Sequence, residues 1–150
     1  MKRIIFYMLI LAAVLILPTA GMDVGKLQPV QTIAVYREGE AWVIETDTDD
    51  IGKGNSVEAA FENLIETTPA VIYLDTADYL ILRDNAAEVI NELRGRLKDS
   101  VALYLYKGEP DLKQVSQYLT VHGVKVKLKQ WKTDMELPIL DCTTERFFFA

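Results

Sequence analysis

The sequence predicts a mixed α/β domain in which three helices cover a β-sheet of about five to six strands. Two observations carry this prediction. Apolar residues recur at the spacing of one helical face in three segments, and β-rich segments precede and follow each of them. The predicted order is strand, strand, helix, strand, helix, strand, helix, strand. Strands that are joined through helices should then pair in parallel.

The first two strands are predicted to form a hairpin. Residues 30–36 and 41–46 are rich in β-forming side chains, and Arg37-Glu38-Gly39-Glu40 supplies the turn between them. Residues 47–54 are mostly polar and are predicted as a loop.

The three helices are predicted from apolar stripes. The first covers residues 57–65, with Asn55 or Ser56 as its N-cap. The second covers residues 86–97. The third begins at Pro110, a residue type that suits the first helical turn.

The remaining strands lie between and after the helices. Residues 71–82 are β-rich but interrupted at 75–78, which predicts one bent strand or two short ones. Residues 101–106 are almost all apolar, as expected of a strand covered on both faces. Residues 124–128 alternate with lysines and predict a strand with one buried face. After Thr133 the sequence shows no regular helix or strand pattern.

The first segment is set apart from the domain by its composition. Lys2 and Arg3 precede an apolar run at residues 4–17, and Pro18-Thr19-Ala20-Gly21 follows it, which is the order of a secretory signal. The run is shorter than the ~20 residues of a membrane-crossing helix, so cleavage is the preferred interpretation. An uncleaved anchor is the alternative. Both interpretations predict an exported domain, outside the cytoplasmic membrane.

Half of the 150 residues are apolar, so the chain can bury one sizeable core but hardly two. We therefore expect a single domain. Residues 1–21 are predicted as a signal peptide or N-terminal membrane anchor and residues 22–29 as a lead-in. Residues 30–133 should form the α/β domain, and residues 134–150 a C-terminal tail.

Charge and cysteine content restrict the classes of partner. The formal net charge is −6, which argues against a general nucleic-acid binder and favours proteins, cations or wall polymers. Cys142 is the only cysteine, which excludes an intrachain disulfide and a multi-cysteine metal site. Gly52-Lys53-Gly54 lacks the third glycine and the strand–helix context of a dinucleotide site, so no cofactor is expected.

One series of residues resembles a known family. It consists of Gly54-x-Ser56-x-x-x-Ala60-x-x-x-Leu64, then Tyr73-Leu74, then Tyr79-Leu80-Ile81-Leu82, and then a strand from Leu103 to Lys107-Gly108. Over residues 30–119 the chain is similar to the N-terminal domain of the Ger(x)C lipoproteins, the spore-germination receptor C subunits of endospore-forming bacteria. The family also has a lipobox cysteine and later domains. No cysteine lies between Leu17 and Met22, and we expect only the first domain here.

The resemblance implies an exported, non-enzymatic subunit that acts through protein contacts at a membrane. Its motifs are structural rather than catalytic. We therefore expect an envelope-associated interaction or accessory module, whose partners are other envelope or membrane proteins. An extracytoplasmic small-ligand or cation-binding domain is the alternative.

A weak cation loop is one candidate site. Asp47, Asp49 and Glu58 occupy positions one, three and twelve of a loop with Gly52 at position six, as in a calcium loop. Ile51 stands at position five, however, and a strand precedes the loop. A solvated acidic turn is therefore the preferred interpretation, and no metal is expected.

Asp75, Thr76 and Asp78 form a second candidate, a polar loop. Two carboxylates are the minimum for acid–base chemistry, so a hydrolase that uses Asp75 and Asp78 is the rival hypothesis. No partner base or nucleophile is evident beside them. Aspartates that form turns explain the same residues, and no catalytic residue is predicted.

The third candidate is a basic stripe in this acidic chain, formed by Lys125, Lys127, Lys129 and Lys132 with Trp131 beside them. Lysines on an edge strand deter pairing with another chain, which is the preferred interpretation. A surface for an anionic partner, such as headgroups or wall polymer, is the alternative. Trp131 would add an amphipathic contact to that surface.

Self-association is the last expectation. Phe147, Phe148 and Phe149 would form an apolar patch at the end of the chain, which could pack on the sheet or dock into a partner or a second copy. The hairpin at residues 30–46 could also offer an edge for β-addition.

Overall fold

The computed structural model describes residues 7, 27–83, 86–123, 126–142 and 148–149. The strands are β1 (Leu27–Pro29), β2 (Thr32–Glu38), β3 (Ala41–Thr46), β4 (Ile51–Gly54), β5 (Val71–Tyr73), β6 (Tyr79–Leu82), β7 (Ala102–Gly108), β8 (Ile139–Cys142) and β9 (Phe148–Phe149). The helices are α1 (Val57–Thr67), α2 (Ala86–Leu93) and α3 (Leu112–His122).

The predicted signal or anchor at residues 1–21 lies outside the described residues, apart from Tyr7, which is helical. Within the described ranges, no helix has both the length and the apolar character that are needed to cross a membrane.

Most strands form one mixed sheet. Its order is β4-β3-β2-β6-β7-β8-β9, and β1 pairs with β5 in a separate two-stranded sheet. Strands β2, β6, β7 and β8 are parallel, whereas β3, β4 and β9 each run antiparallel to a neighbour. The prediction of a mixed sheet with three helices is confirmed. Six of the seven strands have four residues or more, and β9 has two.

Each face of the large sheet has its own apolar core, because successive strand side chains point to opposite faces. Phe61 of α1 and Ile90 of α2 pack on one face against Ile33 and Leu80. Leu112, Val115 and Leu119 of α3 pack on the other face with a second set of strand residues, Ala34, Ile81 and Tyr104. The sheet is thus the middle of three layers, which explains why all four residues of β6 are buried.

The close approach of α1 to β4 explains the glycine-containing motif. A Cβ atom on Gly52 would lie 2.6 Å from the Leu64 Cβ, and one on Gly54 would collide with the backbone of residues 59 and 60. Ser56 begins the helix as its N-cap, since its hydroxyl accepts from the Ala59 N–H at 3.1 Å. The motif therefore sets the packing of a helix against a strand.

The outer side of β4 is also in contact with α1. The Lys53 N–H points away from β3 and donates to Asn63 Oδ1 at 3.0 Å. A side chain of α1 thus accepts a hydrogen bond from the outer edge of β4. The hairpin prediction is confirmed for β2 and β3, but β2 lies between β3 and β6, and β3 lies between β2 and β4. The prediction that this hairpin offers an edge for β-addition is therefore wrong.

The interrupted segment at residues 71–82 forms two short strands. β5 and β6 are separated by a 3-10 turn at Leu74–Thr76, and they belong to different sheets. The second of the two sequence alternatives is thereby confirmed. The predicted polar loop at residues 47–54 is shorter than expected, since β4 begins at Ile51.

The prediction of a strand over residues 124–128 is wrong for the residues described there. Lys127 forms a single antiparallel bridge with Ala102, and a 3-10 turn at Leu128–Gln130 follows. Leu128 is buried, so the apolar residue that suggested a strand packs in the core through the turn.

The expected C-terminal tail and lead-in also contribute to the fold. Strand β8 pairs in parallel with β7, and Leu140 at its centre is fully buried. Strand β1 lies within the predicted lead-in at residues 22–29. The folded unit therefore extends beyond residues 30–133 at both ends.

Candidate functional site

The three acidic residues of the predicted cation loop have separate partners. Asp47 accepts from the Gln31 N–H at 3.1 Å, and burial raises the pKa of its carboxyl group above the ordinary value. Asp49 pairs with Lys113, and Glu58 pairs with Arg96. Among the described residues, no group of three or more His, Cys, Asp or Glu side chains is placed to hold a metal ion.

The polar loop at residues 75–78 connects parts of the backbone. Thr76 Oγ1 accepts from the Val30 N–H at 3.0 Å and donates to the Tyr73 carbonyl at 2.7 Å. The Asp78 carboxylate accepts from Lys98 Nζ at 2.8 Å, whereas Asp75 is exposed in the 3-10 turn. Thr76 therefore fastens the chain before β2 to the end of β5, and Asp78 forms a surface ion pair.

Cys142 lies in β8 and is buried. Burial, followed by the nearby charge of Asp141, raises the pKa of its thiol to about 11. The thiolate is the nucleophilic form of cysteine, so at neutral pH this side chain is an inert apolar group.

The predicted basic stripe is only partly preserved. Lys129 and Lys132 are exposed and Lys127 is half-buried, while Lys125 lies outside the described residues. These lysines belong to a bridge, a 3-10 turn and a loop, so protection of an edge strand fits Lys127 alone. Trp131 is 6% exposed and packs in the core, which excludes it as an exposed amphipathic contact.

A fourth cation joins the lysines through tertiary structure. Arg94, which follows α2, places its guanidinium 5.8 Å from the Trp131 ring centre and donates to the Trp131 carbonyl at 3.2 Å. The Lys129 N–H also donates to the Asp99 carbonyl, which holds the two chain segments together. We call Arg94, Lys127, Lys129 and Lys132 the basic surface. Sequence analysis missed Arg94 because residues 94 and 131 meet only in the folded chain.

Among the described residues, the basic surface differs from four other cations in its lack of ion pairs. Lys53, Arg96, Lys98 and Lys113 each pair with a carboxylate. Within the described part of the chain, the four cations of the basic surface form no such pair. Beside them is a concavity of about 420 Å³, lined by Trp131, Met135, Leu137 and neighbouring residues.

A second concavity, of about 390 Å³, lies where β2, β6 and β7 end. The register aligns Val35, Leu82 and Leu105, so the next residues of the three chains, Tyr36, Arg83 and Tyr106, form the row beyond them. This position is the carboxyl edge of parallel strands, where ligands of open α/β sheets commonly bind. We call it the Arg83 crevice.

Arg83 is held between two aromatic rings in this crevice. Its guanidinium carbon is 5.5 Å from the Tyr36 ring centre and 5.2 Å from that of Tyr106. One Nη atom also donates to the Gly108 carbonyl. Sequence analysis missed this site because the row depends on strand register. The only available signal was a polar or aromatic residue directly after a buried strand.

The crevice also contains carboxylates. Its lining includes Glu38, Glu45 and Glu109 as well as Arg37 and Pro110. Glu38 pairs with Lys53, and Glu45 accepts a 3.4 Å hydrogen bond from the Tyr36 hydroxyl. Burial raises the pKa of Tyr36 above the ordinary value, and the charge of Glu45 adds to this effect. The site therefore presents groups of both charges.

Comparison with known proteins gives no match among protein-family models, curated proteins or solved structures. The Ger(x)C resemblance stays a prediction.

Proposed function

We propose that this chain is an exported, non-enzymatic accessory module of the cell envelope, which docks on anionic membrane headgroups through its basic surface. The observation that carries the proposal is the set of cations at Arg94, Lys127, Lys129 and Lys132, which form no ion pair with the described residues, within a chain of net charge −6. Because the rest of the chain is acidic, an anionic surface would attract this region and repel most others.

The expected strength of docking is modest. A lysine or arginine close to an anionic membrane contributes ~1 kcal/mol, and the contribution falls off within a Debye length. Four cations therefore support reversible binding that weakens with salt. Such binding would hold the domain beside the membrane proteins that the Ger(x)C resemblance implies as its partners.

The contacts of the candidate residues Asp47, Thr76 and Asp78 account for them as structural residues. Asp47 accepts from the Gln31 backbone, Thr76 joins two backbone segments, and Asp78 pairs with Lys98. These interactions give each side chain a structural role that requires no substrate.

Sedimentation with lipid vesicles tests the docking proposal. The double variant Lys129→Gln/Lys132→Gln should bind vesicles of phosphatidylglycerol about tenfold or more weakly than the natural chain. The matched control is Lys53→Gln/Lys113→Gln, which removes two exposed cations that have acidic partners. All chains keep residues 4–17, so a difference between the two variants reports on the surface charge.

Equal losses in the two double variants would contradict the basic surface as the docking site. If Lys129→Gln/Lys132→Gln lost as much binding to vesicles of neutral phosphatidylcholine as to anionic vesicles, the anionic partner would be contradicted. Export is tested separately, by sequencing the N-terminus of the protein that is recovered from the envelope. Recovery from the cytosol alone, with Met1 retained, would contradict that part of the proposal.

A further inference from the structure

The geometry points to the Arg83 crevice as a binding site for a small zwitterion, an amino acid or a short peptide. This site is separate from the basic surface and makes no use of membrane docking. Arg83 would bind the carboxylate of the ligand, and the glutamates of the rim would bind its ammonium group.

The first argument is the fixed position of the guanidinium. The backbone of Arg83 is fixed by a hydrogen bond, since its N–H donates to the Val35 carbonyl at 3.2 Å. The guanidinium lies over the rings of Tyr36 and Tyr106, and the Gly108 carbonyl accepts from one of its Nη atoms. A group that is already ordered loses little conformational freedom when a ligand binds.

The second argument is the unused donor capacity of Arg83. A guanidinium carries five N–H donors in a planar fork that matches the two oxygens of a carboxylate. Within the described residues, Arg83 forms no ion pair, although three glutamates line the same crevice. The side chain is exposed, so a ligand carboxylate can reach the fork from solvent.

The third argument concerns the charge of the ligand. Glu38 is already neutralised by Lys53, and the guanidinium of Arg37, which also lines the crevice, lies over the Trp42 ring. Glu45 and Glu109 are the acidic groups left beside Arg83. Two carboxylates repel a dianion such as phosphate and attract an ammonium group. Arg83 and the glutamates together therefore favour a ligand that carries one carboxylate and one ammonium group.

The size of the crevice agrees with this class. A volume of about 390 Å³ lies near the lower limit for small-molecule sites, which suits a compact ligand. Its lining is rich in charged and aromatic side chains, and ligand orientation would come from the charged groups.

An NMR titration of the full chain in detergent micelles tests the proposal. The probes are glycine and diglycine, with acetate, methylammonium and inorganic phosphate as comparison compounds. We expect at least one of the zwitterions to shift the signals of Tyr36, Arg83 and Tyr106, and to bind more tightly than any of the comparison compounds.

Three variants separate the contributions. Arg83→Gln should weaken zwitterion binding about tenfold or more, because it removes the charged fork. Glu109→Gln, on the exposed rim, should weaken zwitterion binding but should not weaken acetate binding, because it removes the partner of the ammonium group and a charge that repels anions. Arg96→Gln is the matched control, since Arg96 also lies over an aromatic ring, that of Phe61, but is outside the crevice. It should bind as the natural chain does.

The proposal is overturned if neither zwitterion shifts these signals, if phosphate binds best, or if Arg83→Gln and Arg96→Gln behave alike. Should Arg83→Gln fail to fold, the Glu109→Gln comparison of zwitterion with acetate still decides the question. Because vesicle docking uses other residues, either proposal can fail without the other.

Discussion

At the scale of single residues, Gly52 and Gly54 set the distance between α1 and β4. Both lie where the helix backbone approaches so closely that a side chain has no room. In the sequence, Gly54 belongs to the family resemblance and Gly52 to the candidate cation loop, and the fold gives both glycines a steric reason. The N-cap at Ser56 was one of two residues predicted for that role, because capping is local and therefore readable from sequence.

Substitution of Gly52 tests this steric role. Gly52→Ala should lower the free energy of unfolding by about 2 to 3 kcal/mol, because the added methyl group meets helix backbone that cannot move aside easily. Gly95→Ala is the matched control. A Cβ there meets no atom within 4 Å, so the change should stay within about 0.5 kcal/mol. Urea unfolding measures both, and equal effects would refute the close-packing explanation.

The two candidate sites show where sequence reasoning stops at this scale. Lys127, Lys129 and Lys132 were visible because they are close together in the chain. Arg94 reaches the basic surface only through its contact with Trp131, and Arg83 reaches its crevice only through the register of β2, β6 and β7. Both contacts join residues that are distant in sequence, and the parallel strands β2, β6 and β7 have no connecting hairpin turn from which their register could be read.

At the scale of elements, the helices were easier to predict than the strands. All three helices were expected from apolar stripes that extend over two turns or more. Strand β8 was missed because it is only four residues long, too short for a clear alternation of apolar and polar residues. Apart from Pro138 directly before it, no turn residue marks its ends. Its pairing with β7 makes it a strand, and that pairing is a long-range interaction.

The contribution of β8 can be measured with one substitution. Leu140→Ala should lower the free energy of unfolding by about 2 to 4 kcal/mol, because the side chain is fully buried beneath α3 and its neighbours. Met135→Ala, at a position that is 39% exposed, should cost less than about 1 kcal/mol. If both changes had the same small effect in thermal melts, the C-terminal segment would be a tail, as the sequence suggested.

At the scale of the whole molecule, buried tyrosine hydroxyls and a buried thiol make the stability of the fold decrease at alkaline pH. Burial raises the pKa of Tyr104 to about 12 and that of Cys142 to about 11, and it raises the pKa of Tyr106 further. The folded protein keeps these protons at pH values where the unfolded chain loses them. Their contribution to stability is therefore complete below the ordinary pKa of each group, and it is lost as the pH rises toward the folded value.

Cys142 gives the sharpest test of this dependence. Its contribution should be lost between the ordinary thiol pKa of 9.0 and about 11. The stability difference between the natural chain and Cys142→Ala should thus shrink by about 2 kcal/mol from neutral pH to pH 11. Urea unfolding across this range measures the difference, in which the tyrosine contributions cancel. A constant difference would show that the thiol ionises equally in both states.

The contact between Asn63 and the Lys53 N–H has a consequence for assembly. It gives the large sheet two unlike ends, since β4 is short, carries a lysine and is flanked by α1, whereas β9 ends the sheet on the opposite side. If copies of the chain join by extending this sheet, they join at β9. Two copies related by a twofold axis would use both β9 edges and leave a blocked β4 at each outer end. Extension of the sheet would then stop at a dimer, and further copies could not add to form a filament.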